Sequence, residues 1–432
     1  MAHLRDLHWQ PADQSGLVAS DRRGGRFSAY VPDPLCNRPL ALDGELGAAA
    51  ASAERAIRHL AAVPGSRGLS AISRLLTRSE AISSSMIEGI APSPQQVALA
   101  ELGLTESVRG LSDKARLVAR NIAVLRAASG ELVTSPEVTV ADIEALHDGL
   151  LQGDHHRGIR VVQNWIGGSN WNPLRAEFVP PPPELVPALM ADLVRYVNGA
   201  SHGPLIQAGL VHAQFETIHP FTDGNGRVGR ALIHTVLARG GLSPDAVLPI
   251  SLVLATLSER YVAGLNSYRY AGGADRVEAG RGQATWLAFF IEATTIAIHQ
   301  AAQLADDVSA LETSWQRKVN QDRAARGLRI APRADSAAQR ILSILPEAPV
   351  LTGRSVERLI DVSFNAARGA LDELADAGVL TRKVIDRRTT GYLAHDILDL
   401  VGITERRLAS TQFDTRVAPP SRPVPASPPR RD

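Results

Sequence analysis

Two apolar helical runs, 204–218 and 227–239, are joined by a short turn, and residues 218–230 read I-H-P-F-T-D-G-N-G-R-V-G-R. The joint concentrates unusual residue types in one place. His219 is the side chain that titrates near neutrality and can act as a general base. Asp223 is a hard oxygen ligand suited to Mg²⁺. Gly224, Asn225 and Gly226 let the backbone approach a ligand and present N–H groups at the start of the next helix, where the dipole favours an anion. Arg227 and Arg230, three apart on one helical face, form a fork for phosphate oxygens. Base, metal ligand, N–H nest and two guanidinium groups together describe a nucleoside triphosphate site for phosphoryl or nucleotidyl transfer. Gly224 to Gly229 also matches G-x-G-x-x-G, but that fingerprint needs a preceding strand and a βαβ unit. Here a helix precedes it and no parallel strand follows, so a dinucleotide-binding sheet is excluded. The G-x-x-x-x-G-K-[ST] of a P-loop is absent too.

The rest of the chain agrees with a mainly α fold. Apolar residues at helical spacing mark runs at 42–62, 70–84, 93–102, 112–129 and 140–151, with Thr139 as N-cap of the last. Further runs follow at 184–198, 249–267 and 283–327, with a Gly- and charge-rich loop at 272–282. The first forty residues are polar and turn-rich. Strand-like character is expected only around 159–178, where 160–166 and 177–179 flank Gly167-Gly168 as a hairpin or flap. Pro180 to Pro183 make a stiff entry into the next helix. At roughly 150 residues per domain, 432 residues suggest two or three domains. A hydrophobic fraction of 44% excludes a mainly disordered chain. With 46 basic against 45 acidic residues, a globally basic nucleic-acid binder is excluded. The single cysteine, Cys36, rules out an internal disulfide or a Cys-based zinc cluster and reads as a small, buried or half-buried apolar residue. The first residues, without an apolar run, lead us to expect no signal segment, and the most apolar stretch, 284–297, is interrupted by Glu292. A cytoplasmic setting without membrane contact is the expectation.

The run His219-Pro-Phe-Thr-Asp-Gly-Asn-Gly-Arg-Val-Gly-Arg230 resembles the H-x-F-x-[DE]-G-N-G-R-x-x-R signature of Fic-domain proteins without a departure. Arg160, Gln163-Asn164-Trp165-Ile166-Gly167-Gly168 and Phe178-Val179-Pro180 resemble the flap of that family, and the resemblance spans roughly 28–270. It implies a helical bundle with a short β-hairpin flap, acting as a protein adenylyltransferase with ATP as substrate and Mg²⁺ as cofactor. His219 would take the proton from a target Ser, Thr or Tyr hydroxyl, and Asp223 would hold Mg²⁺. Gly224, Asn225 and Gly226 would cradle the phosphates, with Arg227 on the β- and Arg230 on the γ-phosphate. Phe221 would be a core anchor. The flap would align the target main chain by strand addition. Tyr261 would lie near the adenine, with Val262 where relatives often carry a second Tyr.

Ser84-Ser85-Met86-Ile87-Glu88-Gly89 resembles the family's inhibitory [ST]-x-x-x-E-[GN] pattern. The resemblance pairs Glu88 with Arg230, where a carboxylate competes with the γ-phosphate for one guanidinium. His212 reads as a hydrogen-bonded core residue, His155-His156 as solvated, and Trp286 with Phe289 and Phe290 as a core stripe.

From residue 334 onward the texture changes. Helices at 336–345, 353–361 and 363–377, then strands at 379–384 and 390–394 around Asp386-Arg387-Arg388, outline a winged helix-turn-helix. Asn365 and Arg368 on its third helix stand beside Asp372, Glu373 and Asp376, whereas Arg382, Lys383, Arg387 and Arg388 make the hairpin basic. DNA binding and protein docking both remain open. The expected organisation is an N-terminal helical region carrying the inhibitory motif (1–130), a catalytic core (131–275), a linking helix (276–333), the winged helix (334–402) and a Pro/Arg-rich disordered tail (403–432). Partners are a target protein, including the chain itself, DNA, or a second copy of the chain. Alternative readings are a nucleotide-responsive DNA-binding regulator that senses ATP, or a Fic enzyme that transfers another nucleotide or removes AMP.

Overall fold

In a computed structural model, the chain is described throughout except for residues 11–17, 19, 37–39, 41, 64–68, 152–156, 200–201, 244–245, 388 and 413–432. It is mainly helical. Strands β1 (His3–Trp9) and β2 (Gly25–Val31) open it as an antiparallel pair. Helices α1 (Gly44–Ala61), α2 (Ser73–Ile87), α3 (Pro94–Leu102), α4 (Asp113–Ser129), the single turn α5 (Glu131–Thr134) and α6 (Val140–Leu150) follow. After an irregular segment come α7 (Val186–Gly199), α8 (Pro204–Ile218), α9 (Asn225–Arg239), α10 (Ile250–Thr256), α11 (Ser258–Tyr268) and the 49-residue α12 (Val277–Ala325).

The starts of these helices are written locally. Asp43, Ser93, Ser112 and Thr139 each accept a backbone N–H of the first turn, and Ser93 and Thr139 close full capping boxes. Pro94 and Pro204 stand in first turns, where their missing N–H costs nothing. Three helices are buried nearly all round: α2 from Leu75 to Ser85, α8 and α9. Such helices cannot be amphipathic, so they sit at the centre, and α4, α6, α7, α10 and α12 close around them. Trp286, Phe289 and Phe290 of α12 pack together, and the Trp286 indole donates to the Gly209 carbonyl on α8 at 2.8 Å. Among the described residues, no helix is long and apolar enough to cross a membrane.

α12 continues into the C-terminal unit, where Trp315 and Val319 are fully buried. That unit orders α13 (Ala337–Ile344), β3 (Val350–Leu351), α14 (Gly353–Ile360), α15 (Phe364–Asp376), β4 (Thr381–Asp386), β5 (Thr389–Leu393) and α16 (His395–Gln412). Its antiparallel sheet runs β3-β5-β4. The unit is fastened to the N-terminal helices. Leu99 and Leu102 of α3 pack with Val350, Ile385, Leu393 and Leu398. Arg78 of α2, buried, donates to Glu101 at 2.9 Å and to the Glu347 carbonyl at 3.2 Å.

Several expectations need correction. Strand character is not confined to 159–178, because β1 and β2 lie in the segment read as turn-rich. Their alternation is hidden because β1 buries little, and the pair is set by tertiary contacts: Trp9 meets Trp165 edge-on at 5.2 Å, and Ala2 and Tyr30 pack with Tyr270. The flap is not a hairpin. Only the bridge Ile166–Phe178 remains of it, since the prolines at 180–183 supply no N–H for a ladder. The run 249–267 breaks at Leu257 into α10 and α11. α12 starts at Val277 rather than 283: Gly282 read as a breaker, yet a Cβ there would stand 2.2 Å from the Ser267 carbonyl, so the glycine allows close helix contact. β3 is too short to be seen in sequence. Residues 403–412 are not tail: α16 runs to Gln412 and buries Ile397, Leu398, Val401 and Leu408. The rest of that tail, His155-His156 and Arg388 lie outside the described residues.

Candidate active site

The α8–α9 turn carries the candidate residues, and its shape follows from its sequence. His219 ends α8 in the left-handed region, φ 50°, a conformation that turns the chain sharply after Ile218. Gly224 (φ 79°) provides the second reversal and leads into α9. Between them Asn225 clamps the loop: its Oδ1 accepts from Phe221 N at 2.8 Å and its Nδ2 donates to the Phe221 carbonyl at 2.7 Å. Phe221 is fully buried and stacks on the His147 ring of α6, centroids 3.8 Å apart. His147 Nε2 lies 2.9 Å from the Asp223 carbonyl, so α6 supports the loop from below.

The irregular segment 159–182 is bound to the same turn through side chains. Arg160 donates to the carbonyls of His219 (2.8 Å), Val162 (3.1 Å) and Pro181 (2.5 Å). Burial lowers its pKa to about 10, which leaves it charged at neutral pH. Asn164 donates to the Phe221 carbonyl at 2.9 Å, and Gln163 to that of Pro180 at 3.0 Å. Val161 and Trp171 of this segment are exposed.

The charged groups converge on the start of α9. Asp223 is mostly exposed; its Oδ1 accepts from Gly224 N at 2.7 Å and its Oδ2 lies 3.6 Å from Arg227. Arg227 is buried, and its Nε has no hydrogen-bond partner. A buried guanidinium with a free donor beside the unpaired first-turn N–H groups of a helix is chemically matched to a phosphate oxygen. Among the described residues no cluster of three or more metal-ligand types exists. A Mg²⁺ ion here would therefore rest on Asp223 plus phosphate and water oxygens, a donor set that this small hard cation accepts.

Arg230 is fully buried. It donates from Nε to Ser84 Oγ at 2.9 Å, from Nη2 to the Ser84 carbonyl at 2.8 Å, and from Nη2 to Glu88 Oε1 at 2.8 Å. Glu88 caps the C-terminus of α2, and Gly89 follows with φ 75°. A carboxylate at a helix C-terminus faces the negative end of the dipole, so its position depends on Arg230. Burial pushes the Glu88 pKa up, but Arg230, Arg227 and His219 outweigh it and hold the carboxyl below its ordinary range. Gly226 leaves room for this contact: a Cβ there would come 2.0 Å from Glu88 Oε1.

His219 is depressed to about 4, first by burial and then by the positive charges of Arg160 and Arg269. It is neutral at physiological pH and available as a proton acceptor. Tyr261 is buried with its hydroxyl 2.8 Å from His212 Nε2, and His212 is held neutral by burial. Val262 is exposed.

Residues 137–237 match the model of the Fic/DOC family. The chain carries a Fic domain. It is 31% identical over 139 residues to the protein adenylyltransferase fic-1 of Caenorhabditis briggsae, covering 31% of this chain and 25% of that protein. Over 68 residues it is 43% identical to the probable protein adenylyltransferase aq_aa38 of Aquifex aeolicus, covering 16% and 21%. The chain thus spans about a quarter of the length of the curated relatives it matches. A Fic family protein from Desulfovibrio desulfuricans G20 has a similar fold, with TM-score 0.50, 19% identity, 83% of this chain covered and 98% of that one.

The structure brings His219, Asp223, Gly224, Asn225, Gly226, Arg227 and Arg230 together by adjacency. It adds Ser84 from α2 and Glu88 at the α2 C-terminus, 146 and 142 residues from Arg230 in sequence, with Gly89 next in the chain. Tyr261 is tied to the same region through His212, which borders Gly229 of α9. Sequence reasoning passed over His147, Glu216 and Arg269. His147 is a lone helix histidine, and nothing in its neighbourhood signals a stack on Phe221. Glu216, three residues before His219, is the one that spacing on α8 would have placed near it.

Proposed function

We propose that this Fic domain makes the chain a protein adenylyltransferase that uses ATP and is restrained by Glu88. The observation that carries the reading is the convergence at the start of α9 of a neutral half-buried histidine, a buried arginine with a free donor, and a second buried arginine occupied by a carboxylate. ATP phosphates fit the N–H groups of 224–226 and the Arg227 guanidinium. Mg²⁺ held by Asp223 supplies charge neutralisation to those phosphates when bound. His219 Nε2 takes the proton of a target hydroxyl. The hydroxyl oxygen forms a bond to the α-phosphorus, and the bond from that phosphorus to the β-phosphate oxygen breaks, so pyrophosphate leaves with the electron pair. Glu88 on Arg230 stands where a γ-phosphate would pair, so bound ATP is misaligned for in-line attack. The exposed 161–171 segment is the natural surface for a target main chain.

We read the C-terminal unit as a winged helix-turn-helix used for docking. Arg109 N donates to the Ile385 carbonyl at 3.0 Å, and Arg109 pairs with Asp386 at 2.5 Å, so its hairpin is engaged by the chain's own N-terminal region.

The test is transfer of label from ATP carrying it on the α-phosphate. Glu88→Gly should raise covalent labelling of protein by about a hundredfold, the scale of a misplacement on the order of 1 Å. His219→Ala in the same background should abolish it. Equal labelling by wild type and Glu88→Gly would sink the restraint, and label surviving His219→Ala would sink the mechanism.

A further inference from the structure

Two buried polar atoms beside the site lack a hydrogen-bond partner, and they belong to side chains of complementary chemistry. His219 Nδ1 is one, and Glu216 Oε1 is the other. Glu216 Oε2 stands 3.9 Å from that Nδ1, one helical turn back on α8. A buried carboxyl oxygen without a partner is costly. Room for it is kept deliberately: a Cβ on Gly229 would lie 2.6 Å from Glu216 Oε1. We propose that Glu216 is a positioning residue for His219, accepting a hydrogen bond from Nδ1–H so that the Nε2 lone pair faces the substrate hydroxyl. The inference deepens the adenylyl-transfer reading and rests on it for its kinetic part.

In the reaction Nδ1 keeps its proton throughout. Nε2 gains the hydroxyl proton, and the resulting imidazolium is stabilised by the Glu216 oxygen, as a base is oriented by a third group in other nucleophile–base pairs. The 3.9 Å separation is longer than a hydrogen bond and closes with bound substrate, as catalytic contacts often do. The groups that face Glu216 come from four directions. Arg230 lies on α9, Glu88 at the end of α2, Arg269 just after α11, and Tyr261 on α11. His212, on α8 itself, borders the same Gly229 space, and the Glu216 backbone carbonyl also flanks the His219 ring. Burial pushes the Glu216 carboxyl up to about 7 against the pull of Arg230, so its acceptor strength changes near neutrality. Below that pH a protonated Glu216 would donate to Nδ1 and select the unproductive tautomer.

The experiment uses the full chain. Long-range proton–nitrogen spectra of the histidine rings, with His219 assigned by its loss in His219→Ala, read the tautomer without any activity. At about pH 8, where a carboxyl titrating near 7 is mostly ionised, His219 should be Nδ1-protonated in wild type. It should become mixed in Glu216→Leu and stay Nδ1-protonated in Glu216→Gln. The wild-type tautomer should shift as pH falls from about 8 to 6, and Glu216→Gln should stay flat, because an amide does not titrate. In the Glu88→Gly background, Glu216→Leu should lower turnover by about a hundredfold with an unchanged KM for ATP. Glu216→Gln should recover most of that rate and lose the acid limb near neutrality. An unchanged His219 tautomer in Glu216→Leu, or a pH-flat tautomer in wild type, overturns the proposal and leaves the backbone carbonyl as the orienting group. Should Glu216→Leu fail to fold, the pH dependence in wild type against Glu216→Gln decides alone. If Glu88→Gly transfers no label while the tautomer still follows Glu216, the adenylyl-transfer reading fails and the positioning role stands.

Discussion

Arg230 in the helical core and Arg382 in the C-terminal hairpin each meet a carboxylate at 2.8 Å, Glu88 in one case and Asp376 in the other. The distances are the same and the physics is not. The Arg230 side chain is 2% exposed and also donates twice to Ser84, so its pairing is fixed by three bonds from one helix end. The Arg382 side chain is 43% exposed and shares itself between Asp372 and Asp376, with water as a competitor for every bond. A buried guanidinium needs its partner, whereas an exposed one merely has one. The same contact therefore fixes a buried side chain beside the candidate site in one region and only trims surface charge in the other.

The contrast breaks hardest at Arg230. Arg230→Met removes one partner of a buried pair and leaves Glu88 and the Ser84 carbonyl unsatisfied. Such losses cost about 3–5 kcal/mol, and the lower end applies because Glu88, at 36% exposure, can turn to water. Denaturant unfolding should show about 3 kcal/mol of destabilisation, and adenylyl transfer should stay absent even with Glu88→Gly added. A loss under about 1 kcal/mol would put Arg230 in the same class as Arg382 and remove the difference between the two regions.

Acid sharpens the contrast by a smaller amount. The Glu88 carboxyl titrates below its ordinary range in the folded chain. A depressed carboxyl contributes stability that is complete above its unfolded pKa and is lost as pH falls through the folded one. The stability difference between wild type and Glu88→Gln should therefore be constant from neutrality down to the ordinary glutamate range, then shrink on further acidification. Unfolding curves across that range measure it. A difference that changes around neutrality would assign the coupling to Glu216, the carboxyl that titrates near 7.

How far the sequence disclosed these two regions also differs, for a physical reason. Helix starts at Ser93, Ser112 and Thr139 are local events between residues three apart, so the sequence states them openly. The α8–α9 turn is likewise local, and its residues fall together because they are neighbours. The pairing of Glu88 with Arg230 spans 142 residues and was reachable only through a family resemblance, since no local rule links the end of α2 to the start of α9. Where tertiary contact creates the structure, the pattern was silent. Strand β1 exposes most of its side chains and is held by Trp9 on Trp165, so no alternation announced it. The 160–166 and 177–179 runs have strand-like residues, but the Arg160 backbone N–H donates to the Pro220 carbonyl at 2.8 Å, and the prolines deny the ladder. α16 does not announce itself because its polar face resembles the tail that follows, whereas Leu408 on its other face is buried.

The smallest expected effect is the control that gives the comparison its meaning. Asp376→Asn removes one carboxylate from Arg382 but leaves Asp372, whose Oδ1 accepts from Arg382 Nε at 3.0 Å and from the Tyr392 hydroxyl at 2.8 Å. Arg326 also loses a partner at 3.1 Å, yet it keeps Asp322 at 3.0 Å. Every group affected retains an alternative partner and access to water, so the melting temperature should not move measurably. Charge is the one quantity that changes, by one positive unit on the hairpin side. If the hairpin met DNA, that unit would raise affinity for duplex and steepen its salt dependence by less than one phosphate contact. If the unit serves docking, as its engagement by Arg109 favours, a gel shift should show no duplex binding before or after the change. A retarded band that strengthens in Asp376→Asn would reverse that assignment and make the exposed arginine the functional one of the two.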